Sequence, residues 1–237
     1  MKLVLDGLKK SFGTKSVLTN IGYTFEEGKI YGLLGRNGAG KTTLFNCLSD
    51  ELDADAGAAY LIGESGQEKP LDTSDVGYVF SIPVLPDFLT GYEFVRFFMD
   101  IHKDRVEPGK TADDFFDMVK LAKEDRPRLL KGYSHGMKNK VQMLCFIIAK
   151  PPVILLDEPL TSFDVVVALE MKKLLRELRQ DHILIFSTHI LQLATDLCDE
   201  IVVLHNGTLS KIDEEMQKSA DFEDRLTEIL KDEAGND

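Results

Sequence analysis

The chain has 237 residues, of which 43% are hydrophobic and 29% are charged, and its formal net charge is −12. This composition is typical of a soluble globular protein that has enough apolar residues for a full core. The negative charge argues against a nucleic-acid-binding surface, which is usually basic. The three cysteines, Cys47, Cys145 and Cys198, form no C-x-x-C pair, so the sequence suggests neither a zinc site nor a disulfide framework.

No segment of the sequence is typical of a signal peptide or a membrane span. The N-terminus becomes acidic at Asp6, which is too early for a signal peptide. The longest mainly apolar run, at 141–149, falls well short of the roughly 18–20 residues that a membrane span needs. We therefore expect a chain that does not cross a membrane by itself.

Strand-like and helix-like runs alternate along the chain, which predicts an α/β fold. Strands are predicted at 2–6, 16–25, 30–34, 59–62, 76–80, 153–157, 183–187 and 201–204. Helices are predicted at 40–50, with Leu44, Phe45 and Leu48 on one face, and at 163–179. The last four strands are dense in Val, Ile and Leu, which is typical of strands buried on both faces of a mostly parallel sheet.

Residues 90–131 contain helix signals and no strand signal. Thr90 and Glu93 form a capping box that opens one helix, and Thr111 opens a second helix in a similar way. The first helix carries apolar residues at helical spacing, namely Phe94, Phe97, Phe98 and Ile101. We therefore predict one domain over 1–237 with a helical insert at about 82–135.

An acidic C-terminal tail is predicted at 213–237. A thin apolar stripe runs through it, formed by Phe222, Leu226, Ile229 and Leu230. This pattern predicts a marginal surface helix with a frayed end.

A glycine-rich loop follows the strand predicted at 30–34. Its sequence, Gly35-Arg36-Asn37-Gly38-Ala39-Gly40-Lys41-Thr42, fits G-x-x-x-x-G-K-[ST]. Glycines allow the backbone to curl so that several N–H groups point at one phosphate group. Lys41 adds a positive charge for the β- and γ-phosphates, and Thr42 adds a hydroxyl for Mg²⁺. The loop is therefore predicted to bind a nucleoside diphosphate or triphosphate.

An acidic pair stands at the end of the strand predicted at 153–157. Asp157 would hold Mg²⁺, because ligands gather at the carboxyl ends of parallel strands. Glu158 comes next and could polarise the attacking water. Taken alone, the same pair could be an ordinary strand-ending turn. Its combination with the glycine-rich loop favours the metal and water roles.

Three further motifs complete a family pattern. Tyr133-Ser134-His135-Gly136-Met137 opens a helix between the loop and the acidic pair, and Thr161-Ser162-Phe163-Asp164 and Ser187-Thr188-His189 follow the pair. In this order and spacing, the motifs resemble the ATP-binding cassette (ABC) ATPase family over about residues 1–212. The resemblance implies a P-loop NTPase-type core with an N-terminal antiparallel β subdomain and a helical subdomain insert.

The resemblance also implies a role for each matching residue. Phe12 would stack on adenine; the alternative from the residue type alone is packing in the core. Glu158 and His189 would be catalytic, and Thr42 and Asp157 would hold Mg²⁺. The remaining nucleotide contacts would be Asn37, Gly38, Gly40, Lys41, Thr42, Thr43, Ser134, Gly136 and Asp164.

The sequence departs from the family pattern at three positions. Ser81 stands where the family usually has a glutamine that senses Mg²⁺, and no glutamine occurs between 68 and 141. His135 replaces a small residue of the signature and Met137 replaces its common glutamine. Ser134 and Gly136, which would contact phosphate, are retained.

The resemblance implies that two ATPase subunits, expected to be identical, close around two ATP molecules. They would drive separate transmembrane permease subunits, with an exporter favoured, from the inner face of the cell membrane. No nucleic acid is expected as a partner. One alternative is a soluble ABC ATPase acting on nucleic acid or ribosomes, against which the net charge argues. The other is a P-loop kinase, against which the signature helix argues.

Overall fold

In the computed structural model, residues 1–80, 84–159, 165–217, 219 and 221–231 are described. They form ten strands: β1 (Lys2–Phe12), β2 (Lys15–Glu26), β3 (Ile30–Leu34), β4 (Ala56–Ile62), β5 (Glu68–Pro70), β6 (Val76–Val79), β7 (Val153–Asp157), β8 (Ile183–Thr188), β9 (Glu200–His205) and β10 (Thr208–Lys211). They also form eight α-helices: α1 (Lys41–Leu48), α2 (Gly91–Ile101), α3 (Ala112–Met118), α4 (His135–Ala149), α5 (Val165–Leu178), α6 (Leu191–Leu197), α7 (Glu214–Gln217) and α8 (Phe222–Lys231). In this part of the chain, no helix has the length and apolar character of a membrane span.

The central sheet has the strand order β10-β9-β3-β8-β7-β6. All its pairs are parallel except that of β10 with β9, which is antiparallel. Every residue of β3, β7 and β8 is buried, as expected for apolar strands covered on both faces. The predicted mostly parallel core is therefore confirmed. Its strand order places the carboxyl ends of β3, β8 and β7 side by side.

A second sheet lies N-terminal to the helical region and has the order β2-β1-β4-β5. Its pairs are antiparallel, which confirms the predicted N-terminal antiparallel sheet. Leu3, Leu5 and Leu8 of β1 are buried and pack in one cluster with Leu44 and Phe45 of α1. Because this cluster joins the second sheet to α1, it also fixes the position of the loop that precedes the helix.

Helices α2, α3 and α4 pack on one another, and both predicted capping boxes, at Thr90 and Thr111, are present. The face predicted for α2 is only partly buried. Val95 is its most buried side chain, whereas Phe97 and Ile101 are each 58% exposed. The stripe that meets α3 and α4 is therefore rotated away from Phe97 and Ile101. The limits of the helical insert stay a prediction, since residues 81–83 lie outside the described part.

The C-terminal segment packs more firmly than a marginal surface helix would. Phe222 and Leu226 of α8 are 5% and 4% exposed. They belong to an apolar cluster with Leu34 at the end of β3 and Val203 of β9. Burial of this stripe holds α8 beside the strand that leads into the glycine-rich loop.

Candidate functional site

The glycine-rich loop connects β3 to α1 in a conformation that requires glycine. Gly38 and Gly40 have φ angles of 83° and 105°, which are strained for residues with a Cβ. A Cβ on Gly35 would lie 2.9 Å from the backbone oxygen of Leu204, and one on Gly40 would lie 2.7 Å from a methyl group of Val17. The sequence pattern therefore corresponds to a tight backbone cradle at the start of α1.

Lys41 is anchored inside this cradle. Its side chain is buried, with the residue 6% exposed. Its ammonium donates hydrogen bonds to the backbone oxygens of Gly35, at 2.7 Å, and Arg36, at 3.1 Å. Burial lowers the pKa of Lys41, and the charges of Asp157 and Glu158 oppose that shift. The positive charge is thus held close to the carboxylates by its own loop.

Asp157 ends β7 and joins two neighbouring elements. Its Oδ2 accepts a hydrogen bond from Thr42 Oγ1 of α1 at 2.9 Å. Its Oδ1 accepts one from Ser187 Oγ of β8 at 2.5 Å. Because both donors come from elements adjacent to β7, the carboxylate is held in one orientation at the edge of the sheet.

Glu158 follows in a left-handed backbone conformation, with a φ angle of 49°. Its backbone N–H donates to Ser187 Oγ at 3.1 Å. Its Oε1 lies 2.9 Å from Nδ1 of His189, the residue that follows β8. In this hydrogen bond Nδ1 carries the proton, because an ionised carboxylate can only accept. Glu158 and His189, which are distant in sequence, therefore form a pair.

Ser187 is a site residue that the sequence analysis missed. Its motif was recognised, but only His189 received a role. The pairing of β7 with β8 sets Ser187 directly opposite Asp157. Its single hydroxyl therefore links Asp157 to the backbone of Glu158. Both predicted strands end at these two residues, a signal that becomes usable only once β8 is known to lie next to β7.

Replacing Ser187 with alanine is expected to lower the free energy of unfolding by about 1–3 kcal/mol. The side chain is fully buried, so the variant leaves the N–H of Glu158 without its acceptor and Asp157 without one donor. Chemical denaturation would measure this loss. Ser210→Ala, an exposed serine on β10, is the matched control. Equal stability of the two variants would contradict the linking role of Ser187.

The cleft above the loop has an aromatic side wall. Phe12 is 51% exposed, so it does not pack in the core, which was the alternative for this residue. Lys15 and Val17 line the same wall and were not predicted. A flat exposed ring beside a phosphate cradle is suited to stacking on a nucleobase.

The predicted residues fall into groups. One cleft of about 500 Å³ is lined by Phe12, Lys15, Val17, Asn37, Gly38, Gly40, Lys41, Thr42, Thr43, Asp157 and Glu158. His189 lines an adjoining cavity with Gly35 and Arg36. Ser134 and Gly136 do not line either cavity; Ser134 caps the N-terminus of α4. Asp164 lies outside the described residues.

Comparison with known proteins identifies the family. Residues 18–161 match the family model described as ABC transporter. The chain is 31% identical over 211 residues to YxlF, an uncharacterized ABC transporter ATP-binding protein of Bacillus subtilis (strain 168); the match covers 88% of this chain and 69% of YxlF. It is 30% identical over 212 residues to YdbJ of the same organism, which has the same description, covering 87% of this chain and 67% of YdbJ.

Solved structures agree in fold. An ATP-binding subunit of an ABC transporter superposes with a TM-score of 0.74 at 23% identity, covering 98% of this chain and 95% of that one. The dimeric ATP-binding cassette MJ0796, in a post-hydrolysis state with ADP and Pi, superposes with a TM-score of 0.73 at 20% identity, covering 89% and 99%. The chain belongs to the ABC transporter family, in which it is an ATP-binding and ATP-hydrolysing domain.

Proposed function

We propose that two copies of this chain close around two ATP molecules and use their hydrolysis to move separate transmembrane subunits. The observation that supports this proposal most is that the two elements suited to bind phosphate, the glycine-rich loop and the N-terminus of α4, lie apart in one chain. The glycine-rich loop faces the cleft, whereas Ser134 is exposed outside it. A second copy can supply the element that the first copy's cleft lacks. The dimeric arrangement of the structural neighbour MJ0796 supports this proposal.

The start of α4 is suited to hold an anion. Ser134 is its N-cap, and its hydroxyl accepts a hydrogen bond from the N–H of Met137 at 3.3 Å. A helix of 15 residues presents unpaired N–H groups and the positive end of its dipole at this terminus. In the proposed dimer, Ser134 and Gly136 contact the γ-phosphate of the ATP held by the other copy.

Thr42 and Asp157 fit a Mg²⁺ ion that is bound together with ATP. Such an ion usually takes one or two protein ligands and completes its shell with water and phosphate oxygens. Thr42 Oγ1 and Asp157 Oδ2 are 2.9 Å apart, so one ion can bind both. Within the described residues, no cluster of three or more His, Cys, Asp or Glu offers a different metal site. When bound, Mg²⁺ would offset the charge on the phosphates.

The other site residues have roles that follow from their positions. Glu158 orients and polarises the attacking water, and His189 holds its carboxylate. The backbone of Asn37, Gly38 and Gly40 surrounds the phosphates with Lys41 and Thr43, while Phe12 stacks on adenine. Asp164 would face the second copy; it remains a prediction from the sequence.

The partner outside the ATPase pair is a transmembrane permease. Phe97 and Ile101 of α2 are exposed and adjacent on one helical turn, and Phe88 nearby in sequence is 78% exposed. Exposed large apolar side chains such as these are typical of a protein interface when they lie on one surface, as Phe97 and Ile101 do on α2. This surface lets the chain sit against the inner face of the cell membrane through the permease. The Gly136-Met137 pair favours an exporter.

The substitution Glu158→Gln tests the dimer. We expect phosphate release to fall at least about 100-fold, because the amide cannot act as the base. ATP is still bound, so the closed pair accumulates and elutes on a sizing column at twice the monomer mass. Glu64→Gln makes the same change at an exposed position outside the site and is the control for the loss of one negative charge. If Glu158→Gln remains monomeric with ATP and Mg²⁺, the proposed dimer is wrong.

A further inference from the structure

Tyr78 lies close to the metal end of the cleft, although neither its residue type nor its motif points to a site. It is on β6, which pairs with β7 so that Tyr78 is opposite Leu155, two residues before Asp157. Its ring packs edge-on against Phe45 of α1, with ring centroids 5.9 Å apart. The ring is thus held between the strand that carries Asp157 and the helix that follows the phosphate loop.

The hydroxyl of Tyr78 is buried and has no hydrogen-bond partner among the described residues. In this part of the chain, only the Oε1 atom of Gln142 shares that state. A buried polar atom without a partner is costly, and a phenylalanine would fill the same space without this cost. The hydroxyl therefore requires an explanation that the packing of the ring does not provide.

The candidate acceptor for the hydroxyl of Tyr78 is the carboxylate of Asp157. Tyr78 is paired with Leu155, and Asp157, two residues further along β7, lies on the same face of the sheet. Burial raises the pKa of Tyr78, and the negative charge of Asp157 and its position as an acceptor for the phenol add to this rise. The geometry of this contact is not that of a formed hydrogen bond, whereas the two carboxylate oxygens accept hydrogen bonds from Thr42 and Ser187. A carboxylate has about four acceptor positions, and these two donors leave room for a third.

We infer that Tyr78 is a positioning residue for Asp157, whose carboxylate accepts a hydrogen bond from the Tyr78 hydroxyl when a divalent cation is bound. This inference rests on the proposed function, in which Asp157 and Thr42 hold Mg²⁺. A ligated carboxylate is usually fixed by further hydrogen bonds, which raise its affinity for the metal. The cost of the buried hydroxyl in the unloaded protein is then recovered in the loaded one.

The two explanations of the hydroxyl differ in the Mg²⁺ concentration that Tyr78→Phe should require. If the hydroxyl has no role, the variant is at least as stable as the parent and responds to Mg²⁺ identically. If the hydroxyl positions Asp157, the variant is again at least as stable without ligands, because the unpaired hydroxyl is gone, but it requires about tenfold more Mg²⁺. Because the ring is retained, its packing on Phe45 and Phe80 should persist.

The measurement is the unfolding temperature at a fixed ATP concentration as Mg²⁺ is titrated, in a Glu158→Gln background that prevents turnover. We expect the Mg²⁺ concentration at half of the thermal shift to rise about tenfold for Tyr78→Phe. Tyr60→Phe, which removes a hydroxyl on the other sheet, should leave that concentration unchanged.

The titration separates two failures. Equal Mg²⁺ midpoints for Tyr78→Phe and its parent, with a clear Mg²⁺ response in both, would overturn the role of Tyr78 alone. If the parent itself shows no Mg²⁺-dependent shift with ATP, the proposed metal site fails and the role of Tyr78 fails with it.

Discussion

Lys41→Ala is expected to weaken ATP binding about 100-fold, an effect of about 2.7 kcal/mol. The ammonium of Lys41 has three donors, and the loop oxygens of Gly35 and Arg36 use two of them. The third is left for phosphate, and charge-assisted hydrogen bonds are worth about 1.5–3 kcal/mol each. Titration of a fluorescent ATP analogue would measure the loss.

Folding should be affected much less than binding by Lys41→Ala. The substitution removes a donor from the backbone oxygens of Gly35 and Arg36, of which that of Arg36 keeps the N–H of Ala39 at 3.1 Å. It also removes a buried charge, and these two effects oppose each other. Lys103→Ala, which removes an exposed charge after α2, is the control for net charge. ATP affinity within about threefold of the parent for Lys41→Ala would contradict the role of the lysine.

The glycine-rich loop was predictable because its requirements are local. Gly38 and Gly40 need backbone angles that other residues avoid, and Lys41 and Thr42 follow at a fixed spacing. Asp157 and His189 were predictable for a related reason: Asp157 ends one buried strand and His189 follows another, and parallel strands bring their carboxyl ends to one edge of a sheet.

Ser187 and Tyr78 were missed because their importance depends on the register between strands. Ser187 faces Asp157 only because β8 lies next to β7, and Tyr78 is close to Asp157 only because β6 lies on the other side. The sequence of a single strand contains no information on which residue of a neighbour lies opposite. The strand order had to be known first.

Helical periodicity predicted where the helices lie in the sequence but not which elements pack against them. The spacing of Phe94 to Ile101 marks one side of α2, yet α3 and α4 cover a stripe centred on Val95. In α8 the outcome was the opposite: the sequence predicted a marginal helix with a thin apolar stripe, but Phe222 and Leu226 of this stripe are buried. A hydrophobic stripe shows that a helix can be covered on that side; its packing partner depends on tertiary structure.

Two inactive variants should restore activity to each other when mixed. Ser134→Asp keeps the cap of α4, because aspartate is as good an N-cap as serine, but it directs a negative charge at the γ-phosphate. Lys41→Ala removes the phosphate contact of the cleft instead. In a dimer of either variant alone, both ATP sites contain a substituted residue, so phosphate release should be lost in each variant.

In a mixed dimer, the cleft of the Ser134→Asp copy meets the intact Ser134 of the Lys41→Ala copy. Random pairing at equal amounts makes half of the dimers mixed, each with one intact site, so about a quarter of the parent activity should return. Ser134→Asn keeps the cap without the charge and should remain active, which separates loss of the helix from repulsion of phosphate. If one chain held a complete site, Ser134→Asp would hydrolyse ATP at the parental rate at every protein concentration. Mixing therefore reports where the second half of the pocket comes from, because an intact site forms only where the cleft of one variant meets the Ser134 of the other.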